Sequence, residues 1–189
     1  MILSDSEIQA ALQSGQIRIE PPPSPTSYTT TAVDLSLGGG DFKRWIIPPS
    51  GVDIIIDPAK PGFFANLAPY LESVPLQENA LVLKPGEFIL ALTRERVELP
   101  ETTRIAARVE GKSSLARIGL AVHVTAPTIH AGFKGNITLE IKNHGVLPIR
   151  LTVGMPICQL IFEMVFGTPS KVMSGIFQNQ RSVLGSTTP

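Results

Sequence analysis

Short runs in which apolar and polar residues alternate, punctuated by glycine and proline, dominate the chain. In NITLEIKN, residues 136–143, Ile137, Leu139 and Ile141 fall on one face and Thr138, Glu140 and Lys142 on the other, the period of a half-buried strand. Similar runs predict strands at 17–20, 32–37, 52–56, 80–83, 87–93, 104–109, 121–125, 136–142, 149–153 and 157–163. Their spacing is close to the ~8–12 residues of sandwiches and barrels. A mainly β fold is therefore expected.

Helical signals are few. Ser4 and Glu7 match a capping box, Ile8, Ala11 and Leu12 make one apolar face, and Gly15 supplies a stop. FFANLAPYLESV, residues 63–74, has helical spacing and reads as a small insertion. SSLARIG predicts one helical turn, with Ser113 as its cap and Gly119 as its terminator. Prolines in PPPSPTSYTT, residues 21–30, fix φ and remove donors, so that segment is an extended loop. Residues 1–165 are expected to form one domain. The tail, 166–189, is polar and aperiodic, which predicts a flexible segment that a ligand or partner would order.

Composition narrows the function classes. Sixteen Lys and Arg residues balance sixteen Asp and Glu residues in 189, so no global field favours a nucleic acid or an anionic membrane. With 43% hydrophobic and 17% charged residues the chain folds, and zero net charge with positive mean hydropathy hints at burial against other copies. One cysteine, Cys158, rules out an intrachain disulfide, and no apolar run reaches the ~18–20 residues of a membrane span. MILSDSEIQ lacks the basic and apolar regions of a secretory signal, so a cytoplasmic location is expected.

VEGKSSLARIGL, residues 109–120, carries Gly-Lys-Ser, the end of the P-loop pattern. That pattern needs a glycine where Ala106 stands and a long helix where Gly119 interrupts, and no βαβ unit surrounds it. The P-loop reading fails. A cluster of Arg104, Arg108, Lys112 and Arg117 with the hydroxyls of Ser113 and Ser114 remains, either as polyphosphate-binding equipment or as a solvated basic turn. Glu140 has two readings as well: a solvent-facing glutamate paired across strands, or a general base with Thr138 beside it in a pocket.

Other chemistries lack their residues. A zinc deaminase needs a Pro-Cys-x-x-Cys downstream of its His or Cys and Glu, which one cysteine cannot supply. No G-x-S-x-G elbow is present for a serine nucleophile. His130, in the glycine-bearing loop PTIHAGFKG, reads as structural or solvent-exposed, and Cys158, in MPICQLIF, as a buried small hydrophobe.

Three segments taken together resemble the dCTP deaminase branch of the dUTPase-like superfamily: the Lys-Ser-Ser-x-x-Arg loop at 112–117, the Thr-Leu-Glu strand at 138–140 and GMPICQL at 154–160. TTAVDLSLG and LKPGEFILALTRERVELP are similar to the family's earlier strands, so the resemblance covers nearly the whole chain. It implies a distorted jelly-roll-like β-barrel, the dUTPase-like β-clip, assembled as a homotrimer with sites between subunits. It also implies hydrolytic deamination of dCTP to dUTP and ammonia, supplying dUTP for dUMP and dTTP synthesis. Magnesium would be carried on the triphosphate, with no zinc and no protein-held metal, and dTTP enters as a candidate inhibitor. By the same resemblance Glu140 is the catalytic glutamate, with Ser113 and Arg117 lining the water. Lys112, Ser113 and Ser114, continuing through Leu115 and Ala116, contact the triphosphate. Backbone groups from Val124 to Ala126 hold the exocyclic amine, Thr138, Leu139 and Gln159 make further nucleotide contacts, and Gln180 closes over the phosphates.

Two departures stand out. His130 occupies a position where the family often carries an aspartate that contacts the sugar, so the resemblance makes it a nucleotide-binding residue through the sugar hydroxyl or a phosphate; in dUTP-hydrolysing relatives the aspartate activates water at the α-phosphate, and deamination alone is thereby favoured over a bifunctional deaminase and diphosphatase. Ile176, Phe177 and Gln178 replace the tyrosine and lysine of many tails. The alternatives are a dUTP diphosphatase on the same fold and a non-catalytic nucleotide-binding trimer.

Overall fold

Alternating residues become strands here because each apolar face finds a core. The computed structural model describes residues 1–47, 55–171, 173–175 and 177–185. In chain order the elements are α1 Asp5–Gln13, β1 Arg18–Glu20, β2 Val33–Ser36, β3 Lys43–Trp45, α2 Phe63–Leu67, β4 Leu71–Ser73, β5 Ala80–Leu83, β6 Phe88–Glu98, β7 Ile105–Gly111, α3 Ser113–Ala116, β8 Leu120–Ala121, β9 Thr128–Ile129, β10 Lys134–Asn143, β11 Ile149–Thr152 and β12 Pro156–Met164. They pair as a six-stranded sheet in the order β4-β3-β6-β10-β8 with β1 also on β6, a four-stranded sheet β2-β12-β7-β9, and a pair β11-β5.

The expected period holds along β10, where every second residue from Gly135 to Asn143 is buried. Leu139 and Ile141 are fully buried and join Leu35, Leu37, Ile157 and Phe162 in one core cluster. Each such side chain contributes about 1.5–3 kcal/mol by leaving water. Asn143 closes the row with its amide satisfied on both sides: Nδ2 donates to the Leu83 and Leu147 carbonyls at 3.0 and 2.9 Å, and Oδ1 accepts from Gly145 N at 2.8 Å. It ties the six-stranded sheet to the β11-β5 pair.

The N-terminal helix is capped as its sequence predicts, Ser4 Oγ accepting from Glu7 N at 3.4 Å and Glu7 Oε2 from Ser4 N at 3.1 Å. Several expectations change. The strand expected at 52–56 falls mostly on residues outside those described, and Ile55 and Ile56 belong to no strand. The helical reading of 63–74 holds only as far as Tyr70, because Pro69 confines the second turn to a 3-10 geometry and β4 follows, pairing with β3. β3, β4 and β9 were not legible, being two or three residues long with no alternation to read.

β6 runs past the expected end, to Glu98. The Thr93 hydroxyl donates to the Glu95 carbonyl at 2.8 Å and accepts from Ile137 N at 3.0 Å, carrying the strand through an irregularity in the β6-β10 register between Asn136 and Thr138. Conversely, the strand expected at 121–125 stops at Ala121. Ser113 is not the cap of its helical turn either: Lys112 holds that position in extended backbone without a side-chain cap bond, so Ser113 and Ser114 lie exposed on the turn itself.

Gly119 ends that turn at φ +88, as its type predicts. It is also required by space, since a Cβ there would stand 2.3 Å from Gly145 N. His144 N donates to the Gly119 carbonyl at 2.8 Å, which fastens the basic turn to the end of β10.

Candidate functional site

Glu140 and Thr138 point away from the core residues that flank them on β10, into a cavity of about 430 Å³. Its walls are largely apolar, with Phe88 and Leu90 from β6, Trp45 from β3 and Phe133 from the loop before β10. Val124 N donates to Glu140 Oε2 at 3.1 Å. That bond explains why β8 ends early, because the backbone beyond Ala121 turns its amide to a carboxylate instead of to a strand. Among the described residues Glu140 Oε1 has no hydrogen-bond donor and is left for a ligand.

Three residues that line this cavity each carry a buried polar atom without a partner among the described residues: His123 Nδ1, Thr138 Oγ1 and Gln180 Oε1. Orphaned buried polar atoms cost about 1–3 kcal/mol each, so three around one cavity beside a carboxylate single it out as the candidate site. His123 Nε2 lies 3.9 Å from Glu110 Oε2, which holds the ring's other edge towards negative charge.

The tail forms one wall. Gln180 is 4% exposed and bridges to β10, its Nε2 donating to the Asn136 carbonyl at 2.6 Å and its own carbonyl accepting from Asn136 N at 3.2 Å. Gln178 Nε2 donates to the Gly132 carbonyl at 2.7 Å and Gln178 Oε1 accepts from Lys134 N at 2.9 Å. Val183, 2% exposed, donates its N–H to Asp41 at 3.0 Å.

Of the residues singled out in the sequence, Ala126, His130, Thr138, Glu140 and Gln180 line this cavity, and Val124 enters through its amide. His130 is exposed at its edge. Leu139, by contrast, is fully buried in the core and is not among the cavity's lining residues. Lys112, Ser113, Ser114, Leu115, Ala116 and Arg117 are not among the cavity's lining residues. Ser113, Ser114, Ala116 and Arg117 are exposed, Leu115 packs on the core, and Arg117 donates to the Ser113 carbonyl at 3.4 Å. Lys112 and Gln159 form a second group around Asp34.

His123, Asp34 and the aromatic walls were missed. His123 lay in a stretch read as strand, and Asp34 in AVDLSL alternates like any solvent-facing strand residue; neither carries a signal until the strands are paired. Among the described residues no group of three or more His, Cys, Asp or Glu side chains could hold a metal ion. No helix among them is long and apolar enough to cross a membrane.

A mainly β fold with an apolar cavity, one carboxylate oxygen without a donor and an exposed basic turn outside the cavity's lining has the makings of a small-molecule site. A family model described as dCTP deaminase-like matches residues 2–165. The chain belongs to the dCTP deaminase-like family. It is 40% identical over 190 residues to a protein of Methanosphaera stadtmanae named dCTP deaminase, dUMP-forming, covering 100% of this chain and 91% of that one. It is 41% identical over 174 residues to the dCTP deaminase of Rhodospirillum rubrum, covering 90% and 86%. Among solved structures, the 2'-deoxycytidine 5'-triphosphate deaminase of Agrobacterium tumefaciens superposes with a TM-score of 0.63 at 23% identity, covering 86% of this chain and 48% of that one. A mutant dUTPase of phage phi11 of S. aureus, solved for its structural Mg(II) ion, superposes at 0.50 with 14% identity, covering 84% and 97%. Both support the dUTPase-like fold.

Proposed function

We propose that this chain is an enzyme that hydrolyses dCTP to dUTP and ammonia, with Glu140 as the proton shuttle. The observation that carries the reading is the Glu140 carboxylate, oriented on one oxygen by Val124 N–H and open on the other, with three unpartnered polar atoms on residues around the same apolar cavity. A pyrimidine ring has the matching character, apolar on its faces and polar at its edge.

Deamination needs a group that both accepts and returns protons. Water attacks C4 as Glu140 takes one of its protons and delivers it to N3. The proton of the new C4 hydroxyl then passes through the same carboxylate to the amino nitrogen. The C4–N4 bond breaks, ammonia leaves, and the carbonyl of uracil remains. In this reading the backbone from Val124, whose N–H already holds the carboxylate, to Ala126 meets the amino edge.

The substrate is the magnesium complex of dCTP, and Lys112, Ser113, Ser114 and Arg117 take its polyphosphate. Because none of these residues lines the Glu140 cavity within one chain, we read the working form as a homotrimer in which one copy's basic turn completes another's cavity. Exposed Ile118, Val146 and Leu147 beside that turn support an apolar contact there. The tail from residue 166 closes over the nucleotide through Gln180, and the enzyme acts in the cytoplasm.

A second reading adds cleavage of dUTP to dUMP and pyrophosphate, carried by the name of the Methanosphaera relative. His130, where an aspartate would activate the α-phosphate's water, favours deamination alone. Incubation with dCTP and magnesium decides: dUTP and ammonia in equal amounts are expected, pyrophosphate and dUMP would establish the second reading, and unchanged dCTP would overturn both.

A further inference from the structure

Asp34 on β2 holds two donors at once, one on each carboxylate oxygen. Oδ2 accepts from Lys112 Nζ, and Oδ1 accepts from Gln159 Nε2 at 3.2 Å. The register explains the meeting: Gln159 on β12 lies directly opposite Asp34 on one side and Glu110 on β7 on the other. Their neighbours Leu35, Leu160 and Val109 go into the core, so the three polar residues form a row on the outer face. Lys112 follows β7 immediately and reaches back along that row.

We propose that Asp34 is a positioning residue for the polyphosphate end of the substrate, an inference that rests on the reading of Lys112 and Gln159 as nucleotide contacts. A lysine on a four-carbon stem loses rotamer freedom when it meets a phosphate. Asp34 removes that freedom beforehand. The pair is only partly solvated, the Lys112 and Asp34 side chains being 22% and 15% exposed, so it is held more firmly than an exposed surface pair. The ammonium keeps further donors for an incoming anion while one is engaged. Asp34 also sets Gln159, joining a residue of β12 to the basic turn after β7 in one fixed group.

A carboxylate near a triphosphate could act in the opposite sense, by repulsion, and the sign of its removal tells the two apart. dCTP turnover is measured for the wild type, Lys112→Met, Asp34→Asn, Asp34→Ala and the double variant Lys112→Met with Asp34→Asn, each checked by thermal melting. Asn keeps the shape and an acceptor for Gln159 and loses the charge that holds Lys112. The expected result is a KM for dCTP raised about tenfold by Lys112→Met and about threefold to tenfold by Asp34→Asn, with kcat changing less than KM. Asp34→Ala, which also releases Gln159, raises KM further than Asp34→Asn, and the double variant is no worse than Lys112→Met alone. An unchanged or lowered KM for Asp34→Asn overturns the proposal, as do multiplying effects in the double variant or an Asp34→Asn protein that fails to fold. An unchanged KM for Lys112→Met refutes the reading of the basic turn itself, and with it this role for Asp34.

Discussion

The amide of Val124 donates to the carboxylate of Glu140 at 3.1 Å, so a loop that leaves one strand fixes the side chain of another. One carboxylate oxygen is thereby engaged by the protein and the other presented to the cavity. For Glu140→Gln, turnover of dCTP falls by about 10²–10⁴-fold while nucleotide binding is retained, because the amide keeps its shape but cannot shuttle a proton. Steady-state kinetics with calorimetric binding of dCTP checks this, and undiminished turnover refutes the assignment.

Leu139 and Glu140 are adjacent in sequence and point opposite ways, Leu139 into the core and Glu140 into the cavity. Leu139→Ala leaves a hole in a core where the side chain is 0% exposed and lowers stability by about 2–5 kcal/mol, whereas Glu140→Gln leaves stability nearly unchanged. Urea unfolding of the two variants measures the contrast.

Gly135 makes room for the tail. A Cβ there would stand 3.1 Å from Gln180 N and 3.3 Å from the Gln180 carbonyl oxygen, so Gly135→Ala pushes the tail away from β10. Faster hydrogen exchange at Asn179 and Gln180 and earlier proteolytic loss of the tail are expected, with Gln180→Ala giving a milder version. Exchange identical to wild type would mean that the tail holds without this contact.

Glu98 carries a pH dependence. Burial pushes its carboxyl up, but the hydrogen bond and charge of Lys134 with the charges of Arg18 and Arg96 outweigh that and hold it below the ordinary carboxylate value. A folded-state value below the unfolded one means that the unfolded chain binds the proton more readily. The stabilisation is therefore complete above the ordinary carboxylate range and disappears as pH falls through the lower, folded-state value. Glu98→Gln destabilises at pH 7 by about 1 kcal/mol and has no effect in strong acid, checked by denaturant unfolding across that range.

Cys158 is fully buried, and burial, followed by the charges of Glu95 and Asp34, pushes its thiol well above the ordinary range. The thiolate is the reactive form. Alkylation by iodoacetamide at pH 8 is expected to be undetectable in the folded protein and complete in guanidinium, a contrast that mass spectrometry reads directly.

Much of the fold was legible because half-burial imposes a period of two. The alternation at 136–142 predicted β10 to within two residues at its start and one at its end, and put Glu140 and Thr138 on one face. The capping box at Ser4 and Glu7 predicted α1 for an equally local reason. β3 and β9, three and two residues long, show no alternation to read, and the Val124 segment looked like a strand since Val122, Val124 and Thr125 are β-branched. Its amide goes to Glu140, a partner distant in sequence that no local pattern reveals.

Local chemistry in the chain by itself determined the β class, the polar face of β10, the rejection of the P-loop and the grouping of Lys112, Ser113, Ser114 and Arg117. Only the tertiary structure decided that Glu140 meets Val124 and Gln180 in one cavity, that Asp34 joins Lys112 to Gln159, and that the basic turn is not part of that cavity's lining. The physical reason is register: side-chain direction follows from local alternation, but which side chains face each other depends on how strands far apart in the chain pair, and that is settled by burying the whole core at once.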